Sequence, residues 1–462
     1  MNIKETYALA LKNHKDNKLE IAENIYNEVL KINPAHLAAN NNLGIVFTKL
    51  KKYNKAKIIF ERTIEIDPNY ADAHYNLGII LVELEEFLNA KSCYKKAIEI
   101  NPNYTKAYYN LASLLGKIGE SQESINWYEK LIKINNNHIN AHYNLGNTYK
   151  HLGKYQKALD CYERVIEIDH NNISAYNNQG VIFYQLGEYR KTKNCYDKII
   201  EIDPKNIQAY WNLQTCVSNI DESLFLLKKI CKIDNKHIEA KIMISILEGY
   251  KGDLSGFNDL LNSSNINHPI IRSAKWIFSL PKLPKIYFNN QKFFDAIILL
   301  SENSRPFYEF GVWNGISFKY LINTFKKGFG FDTFSGLPED WRDEKVGTYS
   351  SFGAIPKING GEFVVGKFQD TLPKFFAEER PLASLINFDA DLYSSTLCAL
   401  DYSNKVIDDK TILVFDEFII NDFWEEDEYK ALNEFCYNQG FVYEVLAVSF
   451  LTKQVAVKLK KF

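Results

Sequence analysis

The sequence predicts two architectures in tandem: an α-helical repeat array, then a doubly wound α/β domain that closes on an antiparallel hairpin. Three observations predict it. A 34-residue period runs through the first half, it dies out after about Lys251, and from about residue 286 short apolar runs alternate with amphipathic helices. A chain of 462 residues exceeds one core. The expected boundaries are 1–237 for about seven repeats, 238–285 for degenerate capping helices and a linker, and 286–462 for the α/β domain. The linker carries apolar Trp276, Ile277 and Phe278 and is expected to be packed.

The period rests on particular residues. Pro34, Pro68, Pro102 and Pro204 stand in one phase, with Asn136 and His170 between them. Repeats start near residues 3, 37, 71, 105, 139 and 173, and a shortened one begins at Ile207. Gly44, Gly78, Gly146 and Gly180 occupy the eighth position, with Ala112 substituting once. Ala22, Ala56, Ala90, Ser124, Ala158 and Thr192 occupy the twentieth, and Tyr26, Phe60, Tyr94, Tyr128, Tyr162 and Tyr196 the twenty-fourth. Small side chains let two antiparallel helices approach, the aromatic fills the remaining space, and proline ends a repeat because it cannot continue a helix. The pattern resembles the tetratricopeptide repeat (TPR), whose superhelix lines a concave groove with its first helices.

Asn42, Asn76, Asn110, Asn144, Asn178 and Asn212 fall at the sixth position of successive first helices. Asparagine is a mediocre helix former, so the column needs a reason. Its amide donates and accepts, which suits gripping an extended peptide backbone. The glycosyltransferase that attaches N-acetylglucosamine to proteins is similar here, holding peptides on an asparagine ladder. The alternative is that each amide bonds the neighbouring repeat. Alanine at 110 and 144 separates the two readings.

Composition excludes several classes. Basic and acidic residues, 55 against 57, nearly cancel, and no basic stripe stands out, so nucleic acid is not an expected partner. No 18-residue apolar run exists, and the polar start lacks signal-peptide order, so no membrane partner is expected. Seven cysteines form no CxxC and no metal spacing, and three recur on one helix face; they suit a reducing cytoplasm.

In the second half, strands are expected at 306–310, 328–332, 362–366, 383–389, 411–417, 441–448 and 453–459, the last two forming the hairpin. A dinucleotide-binding sheet continues instead with a parallel sixth strand. The first strand runs into Glu309-Phe310-Gly311-Val312-Trp313-Asn314-Gly315-Ile316-Ser317. Its glycines let backbone approach a ligand, and Glu309 suits a cationic amine. Val312, Trp313, Gly315 and Ser317 complete this candidate cofactor turn. Asp332, followed by Thr333 and Phe334, ends the second strand, where a carboxylate accepts from ribose hydroxyls. Asp370 follows the third, within reach of an adenine amino group. Each acid alone reads more readily as a helix cap, but together, at successive strand ends on one side of a sheet, they favour ligand binding. Asp389 ends the fourth strand, and Asp416 and Glu417 end the fifth. Three close carboxylates repel unless a cation or proton intervenes, and an oxygen-only set suits Mg²⁺; the other reading is caps without metal.

Residues 305–462 resemble the macrocin and mycinamicin family of sugar O-methyltransferases, within the class I S-adenosylmethionine (SAM)-dependent enzymes. The matching segments are Glu309 to Trp313, Phe331 to Phe334 with Gly336-Leu337-Pro338, Asp370 to Pro373, Asp389 to Ser394, and Phe415-Asp416-Glu417. The resemblance implies SAM as cofactor, Mg²⁺ on Asp389, Asp416 and Glu417, and Asp389 as catalytic base. The repeat array departs from that family, as does Asn387, where an apolar residue or His is usual. A sugar, glycan or small-molecule hydroxyl is the expected acceptor, Trp424 is a candidate wall for it, and a protein or peptide is expected in the repeat groove. Both halves suit self-association, so a homodimer is among the expectations. The competing readings are a repeat scaffold with a catalytically silent α/β domain and an NAD-dependent sugar-modifying enzyme.

Overall fold

The computed structural model describes residues 2–340, 342, 344–348, 350, 351 and 353–461. They form two compact units, 1–182 and 183–462.

The first unit is a ladder of helix pairs. First helices run Ile3–Lys15, Leu37–Lys49, Ala71–Glu83, Thr105–Lys117 and Ile139–His151, with Ile173–Gln185 beginning the next. Second helices run Leu19–Ile32, Tyr53–Ile66, Phe87–Ile100, Ser121–Ile134 and Tyr155–Ile168. The start of each first helix agrees with the period. The glycine rule has a direct geometric cause: a Cβ at Gly44, Gly78 or Gly146 would lie 2.5, 2.6 or 2.8 Å from the ring of Phe60, Tyr94 or Tyr162. Each aromatic is buried, contributing roughly 1.5–3 kcal/mol by burial. Where Ala112 replaces glycine, Ser124 Oγ donates to its carbonyl at 2.7 Å. The turns inside the repeats have a residue with left-handed backbone at Asn17, Lys51, Glu85, Gly119 and Gly153, again 34 apart. Glycine and asparagine adopt that conformation readily; lysine and glutamate do so at a cost.

The second unit joins the late helices to one mixed sheet. The helices Tyr189–Ile202, Ile207–Leu213, Ile220–Ile233, Ile238–Tyr250, Ser255–Leu261 and Pro269–Phe278 precede it. The strands are β1 Lys285–Tyr287, β2 Phe307–Phe310, β3 Gly328–Asp332, β4 Gly361–Val365, β5 Leu385–Phe388, β6 Ile412–Phe415, β7 Phe441–Ser449 and β8 Val455–Lys461. Their spatial order is β1-β7-β8-β6-β5-β2-β3-β4. β4, β3, β2, β5 and β6 are parallel, and β8 runs antiparallel to both β6 and β7. Seven strands fall where apolar runs predict them. β1, parallel to β7, is additional; it straddles the predicted boundary, with Lys285 exposed at the end of the linker and Ile286 and Tyr287 half-buried beyond it.

Helices cover both faces. Asn290–Leu300 and Ile316–Phe325 pack on one, through Phe293, Ile297, Phe318 and Leu321. Phe368–Phe375, Tyr393–Ser403, Glu428–Gln439 and the late helix Pro269–Phe278 share the other core. Trp276 meets Phe418, Trp424 and Tyr429, and Arg272 binds Glu425 at 2.8 Å and the Asp422 carbonyl at 2.6 Å. The segment predicted to be a capping continuation therefore buries its apolar side against the sheet's helical layer, which is why the second compact unit begins so early.

One row of side chains sets the height of the strand ends. Phe331, Phe310, Phe388 and Phe415 stand in register on β3, β2, β5 and β6. Successive rings are 4.8, 5.4 and 4.9 Å apart and stacked nearly parallel, at 17°, 15° and 11°. All four are buried, and the next residue along each strand is Asp332, Gly311, Asp389 and Asp416.

Candidate functional site

A cavity of about 730 Å³ opens above that row, at the carboxyl ends of β2, β3, β5 and β6. The strand order reverses between β2 and β5, the position at which open α/β sheets bind ligands. Of the residues expected at a site, Gly311, Trp313, Asp332, Thr333, Asp389, Asp416 and Glu417 line the cavity. The other candidates lie elsewhere.

Glu309 is fully buried below the turn, because strand alternation directs it to the face covered by Ile316–Phe325. Its Oε1 accepts from Ser317 Oγ and, at 3.2 Å, from Asn387 Nδ2, while Oε2 has no partner. Burial pushes its pKa up to about 8 against the two hydrogen bonds. The expectation that Glu309 meets a ligand's amine is corrected: it does not reach the cavity. Ser317 serves Glu309, and Asn387 is its second donor. Val312 and Phe334 are core residues. Gly315 has φ +73° and caps the following helix beside Pro356 and Ile358. Asp370 is exposed, two residues and thus about 200° around its helix from inward Phe368. Lys367, Phe368 and Gln369 line the cavity in its place. Trp424 is buried against Trp276 and Tyr429 and forms core, not a wall.

Gly311 is required by its neighbour. Its φ is +90°, and a Cβ would lie 1.7 Å from the Asp389 carbonyl oxygen. Asp332 ties down the same turn: Oδ2 accepts from the amides of Val312 and Trp313, both at 2.7 Å, and Oδ1 from Phe334 at 2.6 Å. These bonds hold Trp313, at φ +47°, with its ring partly exposed in the cavity.

The acids crowd together on the β5 and β6 side. Burial and then the charge of Asp416 raise Asp389 well above the carboxylate range. Burial and Glu417 push Asp391 and Asp416 up to about 7 each. Glu428, fully buried, accepts from the Glu417 amide at 3.1 Å and leaves Oε1 unpartnered. Two cations answer this charge. Lys453 Nζ donates to both oxygens of Glu417, at 3.0 and 2.8 Å, and Arg342 binds Asp427 and, at 3.0 Å, Asn421. Asp391, Arg342 and Lys453 were not singled out from sequence as site residues: Asp391 lies two residues beyond Asp389, while Arg342 and Lys453 are brought in from a distant loop and turn.

The expected Mg²⁺ site is corrected on geometry. Asp389, Asp416 and Glu417 share the cavity, but among the described residues no three His, Cys, Asp or Glu side chains are placed to hold one ion. Glu417 is committed to Lys453, and Asp416 Oδ1 to Gln454 Nε2.

The asparagine column is also resolved. Asn42, Asn110, Asn144 and Asn178 donate to Tyr7, Tyr75, Tyr109 and Tyr143 Oη at 3.0, 3.2, 2.9 and 3.0 Å. Asn76 donates to Asn41 Oδ1 at 2.9 Å. Each acceptor is the fifth-position residue of the preceding repeat, so each of these five amides spends an N–H on the neighbouring repeat, as the inter-repeat alternative expects. Asn212, in the second unit, accepts from Gln208 at 2.8 Å. All seven cysteines are free, and no helix of the described residues is long and apolar enough to cross a membrane.

Comparisons with known proteins bear on the repeats. Residues 37–70, 71–104, 93–126, 139–172 and 173–206 match models described as tetratricopeptide repeat, and 117–153 one described as TPR repeat. The N-terminal part is a TPR array. No curated protein matches the chain. Similar solved structures include YrrB, described as a TPR protein with an unusual peptide-binding site (22% identity, 40% of this chain and 95% of that one, TM-score 0.36). MamA is similar at 25% identity (37% and 92%, TM-score 0.35), and a TPR repeat-containing protein from Cytophaga hutchinsonii at 19% (51% and 97%, TM-score 0.47).

Proposed function

We propose that the α/β part is a SAM-dependent O-methyltransferase for a sugar, glycan or small-molecule hydroxyl, with the TPR array binding a protein or peptide partner. The observation that carries this reading is the cavity at the switch between β2 and β5, with acids at adjoining strand ends and an antiparallel β8 closing the sheet. Its volume suits a small-molecule cofactor with an acceptor, since such sites run from roughly 300 to 1,000 Å³. The β2–β4 side, with Trp313, Thr333, Phe368 and Gln369, suits the adenosyl part, and the β5–β6 side the acceptor. When bound, SAM supplies an electrophilic methyl group. The chain's own work is to align the acceptor oxygen, exclude water and take its proton. Asp389, central on the row and raised in proton affinity by its surroundings, is the assigned base. The donor set does not fit Mg²⁺, since Glu417 is held by Lys453 and Asp416 by Gln454.

Calorimetry with SAM, and separately with NAD, tests the assignment. Binding of SAM alone is expected, and Asp389→Ala should retain it while methyl transfer is lost. Absence of SAM binding overturns the enzyme reading. A second reading, the scaffold with a silent α/β part, is supported by the TPR matches and by Asp332, whose oxygens already serve three backbone amides.

A further inference from the structure

The join between β6 and β8 places two neutralising side chains opposite two acids. The antiparallel register pairs Phe415 with Val455. One step beyond, Gln454 meets Asp416, and one further, Lys453 meets Glu417. The hairpin turn is built for this delivery. Ser449 N donates to the Gln454 carbonyl at 2.8 Å, Thr452 Oγ1 donates to Gln454 Oε1 at 3.0 Å, and Lys453 has φ +60°. The ammonium engages both Glu417 oxygens in charge-assisted bonds, beside fully buried Glu428 with its unpartnered Oε1.

We propose that Lys453 is the resident cation at Glu417 and Asp416, so these two acids hold together without a divalent ion. A metal at Asp416 and Glu417 has to displace the ammonium and break two bonds that the turn pre-positions. Lys453 is thus a positioning residue: it fixes Glu417 and, through Gln454, the neighbouring Asp416. The inference deepens the methyltransferase reading at the same cavity and rests on that reading for its catalytic meaning, but its physical content concerns the acids alone.

The test is titration of the full chain with MgCl₂, and with MnCl₂ as a spectroscopic probe, with no methyl donor or acceptor present. Lys453→Met and Lys453→Gln are each expected to tighten metal binding roughly tenfold or more over the unsubstituted chain, given the loss of a directly bonded competing charge. Lys453→Arg, which keeps the cation, should stay close to the unsubstituted value. Thermal melting identifies any variant that fails to fold, and the remaining neutral variant then decides. The inference is overturned if neither neutral variant binds metal more tightly than the unsubstituted chain. It is equally overturned if that chain already binds Mg²⁺ at micromolar concentration. Because the readout needs no SAM, failure here leaves donor binding standing, and failure of donor binding leaves this result intact.

Discussion

Replacing Asn144 by alanine removes a hydrogen bond and improves a helix at once, so the single substitution measures neither. The bond to Tyr109 Oη is 2.9 Å and partly buried, worth about 0.5–1.5 kcal/mol net. Alanine recovers about 0.7 kcal/mol of helix propensity, leaving a net loss near the error of a urea titration. Tyr109→Phe keeps the ring, which packs on Tyr128 and His138, but strands the amide donor. A double-mutant cycle cancels propensity and packing. The Asn144→Ala and Tyr109→Phe pair should couple by about 1 kcal/mol. The assay is urea unfolding of the full chain and its three variants, followed by the far-ultraviolet helix signal. A coupling under about 0.3 kcal/mol, the scatter of independent sites, refutes the inter-repeat bond and returns the amide to a groove ligand.

Two further perturbations probe the repeats and the sheet. Gly78→Ala brings a methyl within 2.6 Å of buried Tyr94 and should destabilise by about 1–3 kcal/mol, whereas Gly116→Ala, exposed and 3.5 Å from its nearest neighbour, should stabilise by about 0.4–1 kcal/mol; equal effects in thermal melts contradict the packing account. Glu309, raised by burial to about 8, favours the folded state most when neutral: that contribution is full below the unfolded pKa near 4.5 and is lost as pH rises through 8. Glu309→Gln should therefore gain stability relative to the parent between pH 5 and pH 8, and a pH-independent difference contradicts the buried-carboxyl assignment.

Much of the fold is legible because its signals are local. The period places helix starts from residue 3 to residue 173, since glycine and its facing aromatic lie sixteen residues apart in one hairpin. β2, β3, β5 and β6 are short runs buried on both faces, which sequence marks strongly, while β4, β7 and β8 are partly exposed. β1 has no such run, being an edge strand of three residues. The site is legible only along the row of strand ends: Asp389, Asp416 and Glu417 follow directly from their strands, and the cavity collects them. Phase errors explain most misplacements, since Glu309 sits two residues before the rim at Gly311, on the covered face, and Asp370 on the outer side of its helix. Lys453 and Arg342 reach the acids from a turn and a long loop, and nothing in their own neighbourhoods announces it. The TPR resemblance correctly named the repeats, and the asparagine column makes bonds between repeats, the alternative that the sequence left open.

The terrace of four phenylalanine rings makes this chain more sensitive to length than to chemistry near its strand ends. Each ring is followed at once by a polar or glycine position, so removing a single residue within β5 would draw Asp389 down between Phe310 and Phe415 and take the central carboxylate out of the cavity. Insertions in the outer loops leave the terrace level. Engineering of the acceptor side can therefore vary the loops other than the turn that carries Lys453 and the loop that carries Arg342, provided that the count of residues in β2, β3, β5 and β6 stays as it is.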